Sequence, residues 1–339
     1  MSKFWYILFS ILFFEVIILV HEGGHFAAAK MMKIKVNEFS VGMGPKIFQF
    51  GKKDTKYTLR LIPFGGYCAM EGEDSESNDE GSFENKTVLQ RIFVVVAGAL
   101  MNLVMGLVII AVMVSSQNLI GIPVVADFDE DAVSSQTLMK DDRIKSIDGM
   151  RVYTATDVLT GLSRSQDGDV DFTVTRDGKE EDITVPFSMT EEQGHKFIDM
   201  DFFLYGSEKT FIGVIKETFA QFVSFCRIVF LSLYDLLSGK YGITDLSGPV
   251  GAVSAVSSAF KTSLNGALRI TALLTVNIGL FNLFPFPALD GWRMFSLIFE
   301  GIFKKRINKK AEWAINSIGL ILLLGLMCVV TFSDITKLF

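Results

Sequence analysis

Four stretches of this sequence, residues 4–29, 92–114, 268–286 and 313–332, are apolar over about the 20 residues that a helix needs to cross a bilayer. Half of the 339 residues are hydrophobic and 31 are Phe, so the chain is more apolar than an ordinary soluble protein. The expected class is an α-helical polytopic membrane protein with four transmembrane helices. The first run reads as retained and not as a cleaved signal peptide. It is long, lacks an Ala-x-Ala-like end, and carries His21, Glu22 and His25.

The net charge of -6 is unevenly spread. Residues 121–208 are acidic, whereas the stretches after the first and third apolar runs are basic: Lys30, Lys33, Lys35, Lys46, Lys52, Lys53 and Lys56, then Lys304, Lys305, Arg306, Lys309 and Lys310. Basic loops stay on the cytoplasmic side. The expected topology therefore has both basic loops on the cytoplasmic side of the membrane, and the acidic middle segment and both termini outside. No concentrated basic face points to nucleic acid. Cys68, Cys226 and Cys328 are too few and too scattered for a disulfide framework or a zinc knuckle.

Within the first basic loop, residues 46–50 and 57–62 read as two short strands joined by the polar turn 51–54, followed by the bend Pro63-Phe64-Gly65-Gly66-Tyr67. Such a hairpin beside a membrane could dip into the bilayer edge, lend an unpaired edge to an extended peptide, or be a plain surface hairpin. In the acidic segment, residues 122–128, 143–147, 170–176 and 182–187 read as strands and 155–163 as a helix. Turn signals stand at Asp148-Gly149 and Asp177-Gly178. This order suggests one small β-rich domain. Residues 211–237 are apolar enough to tempt a fifth span, but Lys216, Glu217, Arg227 and Asp235 would each cost roughly 2.5–3.5 kcal/mol at mid-bilayer. An amphipathic helix on the membrane surface avoids that cost, and the segment is read so.

The chemistry is concentrated at the end of the first run, in His21-Glu22-Gly23-Gly24-His25. On a helix, positions i and i+4 share a face, so two imidazoles can hold one zinc while Glu22 takes a proton from its water. Two of the three histidines in the chain form this pair, and they follow a membrane-length apolar run where polar groups are costly. A catalytic zinc takes a third protein ligand and keeps a position open. Asp290 follows Pro285 and Pro287, which break the third run. It could point inward as that ligand or cap a helix at the interface; its own residues leave both open. In the four-span topology the His pair and Asp290 fall at similar depth on the cytoplasmic side.

Together, His21-Glu22-Gly23-Gly24-His25, Pro63-Phe64-Gly65-Gly66-Tyr67, Asn85-Lys86-Thr87, Ser247-Gly248-Pro249-Val250-Gly251 and the stretch from Asn277 to Asp290 resemble the site-2 protease family, in particular its bacterial regulator-of-sigma-E protease group. The resemblance implies an intramembrane zinc metalloprotease: His21, His25 and Asp290 as Zn2+ ligands, Glu22 as general base, and Asn282 holding the substrate backbone. The hairpin matches the family's membrane-associated β element that engages the unwound substrate, with Tyr57, Leu59, Gly65 and Gly66 as candidate contacts. The acidic segment matches one extracytoplasmic PDZ-like α/β domain through Asp142 to Gly149. The implied substrates are single-span membrane proteins such as anti-sigma factors or signal-peptide remnants. The expected organisation is residues 1–115 for the first two spans and the hairpin loop, 116–200 for the PDZ-like domain, 201–262 for surface helices, and 263–339 for the last two spans. Departures from the family pattern are Ala99 in place of Pro, Asp141 in place of Gly, and Trp292-Arg293 in place of Gly-His. A non-catalytic scaffold or a metal transporter are the competing classes; the complete catalytic set argues against the first, and the lack of an inverted repeat against the second.

Overall fold

The computed structural model describes residues 3–51, 55–73, 77–165, 167–192, 195–240, 242 and 246–336; most of the expected 51–54 turn lies outside them. Two compact units form: one from Met1–Ile109 with Ser232–Phe339, the other from Ile110–Leu231. In chain order the elements are α1 (Lys3–Met31), β1 (Val36–Phe50), β2 (Lys56–Met70), α2 (Val88–Ser116), β3 (Leu119–Phe128), β4 (Arg143–Ile147), β5 (Met150–Arg151), α3 (Ala155–Arg164), β6 (Asp169–Arg176), β7 (Lys179–Pro186), β8 (Met189–Glu192), β9 (His195–Ile198), β10 (Phe202–Glu208), α4 (Phe211–Leu237), α5 (Pro249–Thr262), α6 (Leu264–Leu283), α7 (Asp290–Phe303) and α8 (Lys309–Thr336). Segments of α1, α2, α4, α6 and α8 are long and apolar enough to cross a membrane. Length and composition thus admit five crossings among the described residues, one more than expected; the extra one is α4.

Missing side chains bring the helices of the first unit together. A Cβ on Gly24 of α1 would run into the Ala97 carbonyl of α2, and one on Gly106 of α2 would come within 2.6 Å of Val276 on α6. Small residues at such contacts let backbones approach closely, which is how helices associate where lipid removes the hydrophobic drive. Arg91, at the start of α2, forks onto Glu300 of α7 with contacts of 2.7 and 3.0 Å, tying those helices together at one end.

The β element is larger than the expected hairpin. Both strands run 15 residues, and β2 lies on both sides of β1. Each of Phe39, Ser40 and Val41 pairs with one residue from Gly66–Cys68 and another from Tyr57–Leu59, while 48–50 pair with 57–59 in a further row. The outer rows are therefore 46–50 and 66–70, and 57–59 lies inside.

In the second unit, β10-β3-β4-β6-β7 form an antiparallel sheet with β5 paired to β4. β6 shows why: Val170, Phe172 and Val174 point into the core while Asp169 and Asp171 point out, the period of two that a half-buried strand requires. Asp148-Gly149 and Asp177-Gly178 take positive φ (46° and 72°, 50° and 78°), as two-residue hairpin turns demand. Asp141 also has φ 71°, in the left-handed region that favours glycine; its carboxylate is met by Tyr205 on β10. One boundary needs correction: β10 lies beyond residue 200, yet it pairs along β3 and buries Phe202 in the sheet's core. The segment from 201 onward therefore opens with a strand and not a surface helix.

Asp157 ties this unit together. Its side chain accepts from the Tyr153 and Thr154 amides (2.8 and 3.0 Å), its amide donates to Thr154 in a capping box, and it pairs with Arg227 of α4. It is fully buried, so removing it strands the Arg227 guanidinium. Asp157→Ala is expected to cost about 3–5 kcal/mol locally, read as faster hydrogen exchange over 153–165 and α4. Unchanged protection there would show that the pair holds nothing.

Candidate active site

α1 carries an unbroken apolar sequence into His21 and His25, so helix geometry sets the two rings on one face. They meet edge to face with centroids 4.8 Å apart. Asp290 reaches them from the far end of the chain. α6 stops at Leu283, ahead of Pro285 and Pro287, and the chain turns through Ala288 at φ 76°. That left-handed conformation is costly for a residue with a Cβ and is held from outside. The Ala288 amide donates to Asn316 Oδ1 on α8 at 3.2 Å, and Gly319 of α8 lies directly against Pro287. Gly291 lets the turn close, since a Cβ there would strike the Leu283 and Phe284 backbone. Leu289, not Asp290, occupies the N-cap of α7, so the Asp290 carboxylate is turned to the histidines and not to helix capping.

His21 Nε2 and His25 Nε2 lie 3.0 and 3.2 Å from Asp290 Oδ2, and 3.2 Å from each other. The other nitrogen of each ring is occupied elsewhere. His25 Nδ1 is 2.9 Å from the Val94 carbonyl, to which only a protonated Nδ1 can donate. That leaves His25 Nε2 as a lone pair if the ring is neutral. Asp290 Oδ2 is buried and makes no properly aligned hydrogen bond. Three electron-pair donors facing one another repel unless a cation lies between them. Two ligand atoms about 2.0–2.1 Å from one tetrahedral zinc stand roughly 3.4 Å apart, close to the spacings seen. The donor set therefore fits zinc, and it is the one group of three or more His, Cys, Asp or Glu among the described residues that could hold a metal. Glu22 stands in the same field, within Coulombic reach of both histidines and Asp290.

Two residues that sequence reasoning passed over support this group. Asn102 of α2 is fully buried; its Nδ2 is 3.5 Å from His21 Nδ1 while its Oδ1 has no partner among the described residues. Exchanging the two amide atoms, whose assignment rests on the hydrogen bonds they make, lets Oδ1 accept from His21 Nδ1–H. That exchange satisfies both groups and aims His21 Nε2 at the metal position. The readable signal was an Asn inside an otherwise apolar run. Gly98 lies so close to His25 that a Cβ would enter the imidazole.

Of the expected substrate contacts, Gly65 and Gly66 do adjoin the site. Gly66 lies against Ser40, Glu22 and Ile18, with a Cβ position 3.6 Å from Glu22 Cγ. Tyr57 and Leu59 do not offer a free backbone edge: Tyr57 pairs with Phe39 and Phe50, and Leu59 with Val41 and Phe48. The Tyr57 ring is stacked on Phe50 at 5.0 Å. This corrects the expectation that these two residues could accept a substrate strand. Asn282 donates to the Ile278 carbonyl one turn back, at 3.1 Å. A polar cavity of about 770 Å³ opens beside Asp290, lined by Glu73, Arg91, Arg293, Glu300, Glu312 and Asn316 among others. Arg293 is held there by Glu73, with contacts of 2.5 Å to Oε1 and 3.0 Å to its carbonyl.

The family model for peptidase family M50 matches residues 9–326. The chain belongs to peptidase family M50. This is the site-2 protease family, and its members are zinc metalloproteases, so this M50 protein is a zinc-dependent enzyme. A candidate zinc metalloprotease of Clostridium perfringens is 36% identical, covering 97% of this chain and 98% of its own. The regulator of sigma-W protease RasP of Bacillus subtilis is 27% identical over 97% and 98%, and the zinc metalloprotease RasP of Geobacillus kaustophilus 27% over 97% of each. A solved PDZ domain of an SdrC-like protein from Listeria monocytogenes matches 26% of this chain and 90% of its own, at 17% identity and TM-score 0.20.

In this M50 protein, Asn102→Ala is expected to weaken zinc roughly 10–100-fold, measured by chelator competition, and Gly98→Ala to displace His25 and lower zinc occupancy. Full zinc affinity in both variants would show that α2 does not set the ring positions.

Proposed function

We propose that this zinc intramembrane metalloprotease hydrolyses a peptide bond within the transmembrane segment of a single-span membrane protein, with His21, His25 and Asp290 as metal ligands and Glu22 as general base. The observation that carries the reading is the convergence of His21 Nε2, His25 Nε2 and Asp290 Oδ2 within 3.0–3.2 Å of one another beside Glu22. His21, His25 and Asp290 would hold the zinc, which when bound would supply Lewis-acid chemistry to the carbonyl and the attacking water. Glu22 takes the proton from the attacking water and returns it to the departing amide nitrogen. The polar cavity beside Asp290 gives water a route to the site. A helical substrate shields its carbonyls with its own hydrogen bonds, so it must unwind locally. The 66–70 row of β2, whose second edge has no strand partner among the described residues, is suited to pair with the unwound stretch.

Four crossings, by α1, α2, α6 and α8, fit this reading, with the site toward the cytoplasmic side of a bacterial membrane and the termini outside. The sheet unit is then an extracytoplasmic PDZ-like domain, spanning about 116–208 once β10 is included. Support for leaving α4 on the membrane surface comes from Arg227, near the middle of that helix, which pairs with Asp157 and donates to the Arg151 carbonyl of the sheet unit at 2.6 Å. A residue so engaged is not available at mid-bilayer. Phe211, Ile215, Phe219, Val223, Phe230 and Tyr234 are exposed at helical spacing, an apolar stripe of the kind that lies in an interface. Likeness to a regulator of sigma-W protease favours a membrane-anchored anti-sigma factor, trimmed on its outer side, as the substrate class.

Glu22→Gln, reconstituted with such a substrate, is expected to keep its zinc and lose activity by roughly 10²–10⁴-fold or more; chelation should silence the wild type equally. Turnover near the wild-type rate in that variant would remove Glu22 from the mechanism.

A further inference from the structure

Glu15 lies on α1 seven residues before Glu22 and on the same face. It is only 7% exposed, yet it falls within a segment able to cross a membrane. Carboxylates in such segments are rare and mark functional positions. One oxygen, Oε2, accepts from the Gly65 amide at 3.1 Å. Gly42 also turns its amide toward the carboxylate, but Oε1 is buried without a hydrogen-bond partner among the described residues. A buried carboxylate oxygen left unmatched is costly unless something meets it in the working complex.

Its position says what that is. Gly65 is held by Glu15, and the next residue, Gly66, lies against Ile18 and Glu22. Glu15 and Glu22 therefore bracket the part of β2 beside the catalytic group. Seven helical residues rise about 10 Å, the length of about three residues of extended strand. A substrate strand paired with that row commits alternate main-chain N–H groups to the pairing, whereas a side chain with an N–H donor projects away from the ladder and is free to meet Oε1.

We propose that Glu15 Oε1 forms a specificity subsite that accepts a hydrogen bond from an N–H-bearing side chain (Asn, Gln or Lys) in the substrate's transmembrane segment, about three residues from the scissile bond. This subsite rests on the intramembrane protease reading above. Its effect is to favour spans that carry one polar residue at the right register, a residue that lipid alone disfavours.

The test walks a single Lys, which donates but does not accept, along an otherwise Leu/Ala span and uses the full-length enzyme in proteoliposomes, with product masses locating the cut. Wild type is expected to show a gain of about tenfold in kcat/KM at one register, relative to the plain span. In Glu15→Gln that ratio should fall to about one, because the new side chain keeps an oxygen for Gly65 and turns an NH2 toward the subsite. Val16→Gln, at an exposed neighbouring position, should retain the gain. A flat walk in wild type, or a gain that survives in Glu15→Gln, overturns the subsite. Photo-crosslinking of the same spans to the Glu22→Gln enzyme separates the two readings. Register-dependent capture with no cleavage by wild type would keep the subsite and sink the protease reading; flat capture sinks the subsite whatever is cleaved.

Discussion

Three electron-pair donors held 3.0–3.2 Å apart, His21 Nε2, His25 Nε2 and Asp290 Oδ2, set the terms for the rest of the helical unit. They come from segments more than 260 residues apart in the chain. Brought together without a cation they would repel, so the packing around them has to hold them against that repulsion, and a metal bound there would in turn favour the packed state. The surrounding structure answers to this need. Gly24 and Gly98 allow α2 to lie against the histidine face, and Val94 and Asn102 take the far sides of the rings. Gly319 and Asn316 of α8 hold the turn that presents Asp290. The left-handed Ala288 is where this arrangement concentrates backbone strain.

The β element completes the site from the other side. Its double pairing makes an inner row of 57–59, saturated in hydrogen bonds, and an outer row of 66–70 against α1. Glycine at 65 and 66 serves two ends at once. The backbone at Gly65 takes φ 95°, and the missing side chain at Gly66 lets β2 approach Glu22 and Ile18. Two carboxylates of α1, one beside the His21, His25 and Asp290 cluster and one seven residues earlier, then face the same short stretch of strand. In the proposed reading, chemistry and substrate placement are thereby set by one helix and one strand edge.

Much of this was legible in the sequence. The apolar runs marked α1, α2, α6 and α8, and the HExxH spacing placed two imidazoles on one helical face. The paired prolines marked the end of α6, and period-two alternation with Asp-Gly turns marked β4, β6 and β7. Less was legible wherever a residue's role depends on a partner distant in the chain. β10 was missed because its short run, placed with the surface helices from 201 onward, becomes a strand only with β3 beside it. Tyr57 and Leu59 looked like an available edge because a hairpin pattern does not reveal a third row.

By itself, the sequence determined the long apolar helices, the strands β4, β6 and β7, and the placing of two histidines on one face of α1 beside Glu22. These follow from the period of apolar residues and from backbone preferences, which act over a few neighbouring positions. Only the tertiary structure decided that Asp290 turns toward the histidines and does not cap α7, that Asn102 lies behind His21, and that Glu15 keeps one oxygen unmatched. Each of those outcomes depends on where a distant backbone passes within about 3 Å of a side chain, and local periodicity does not encode that distance.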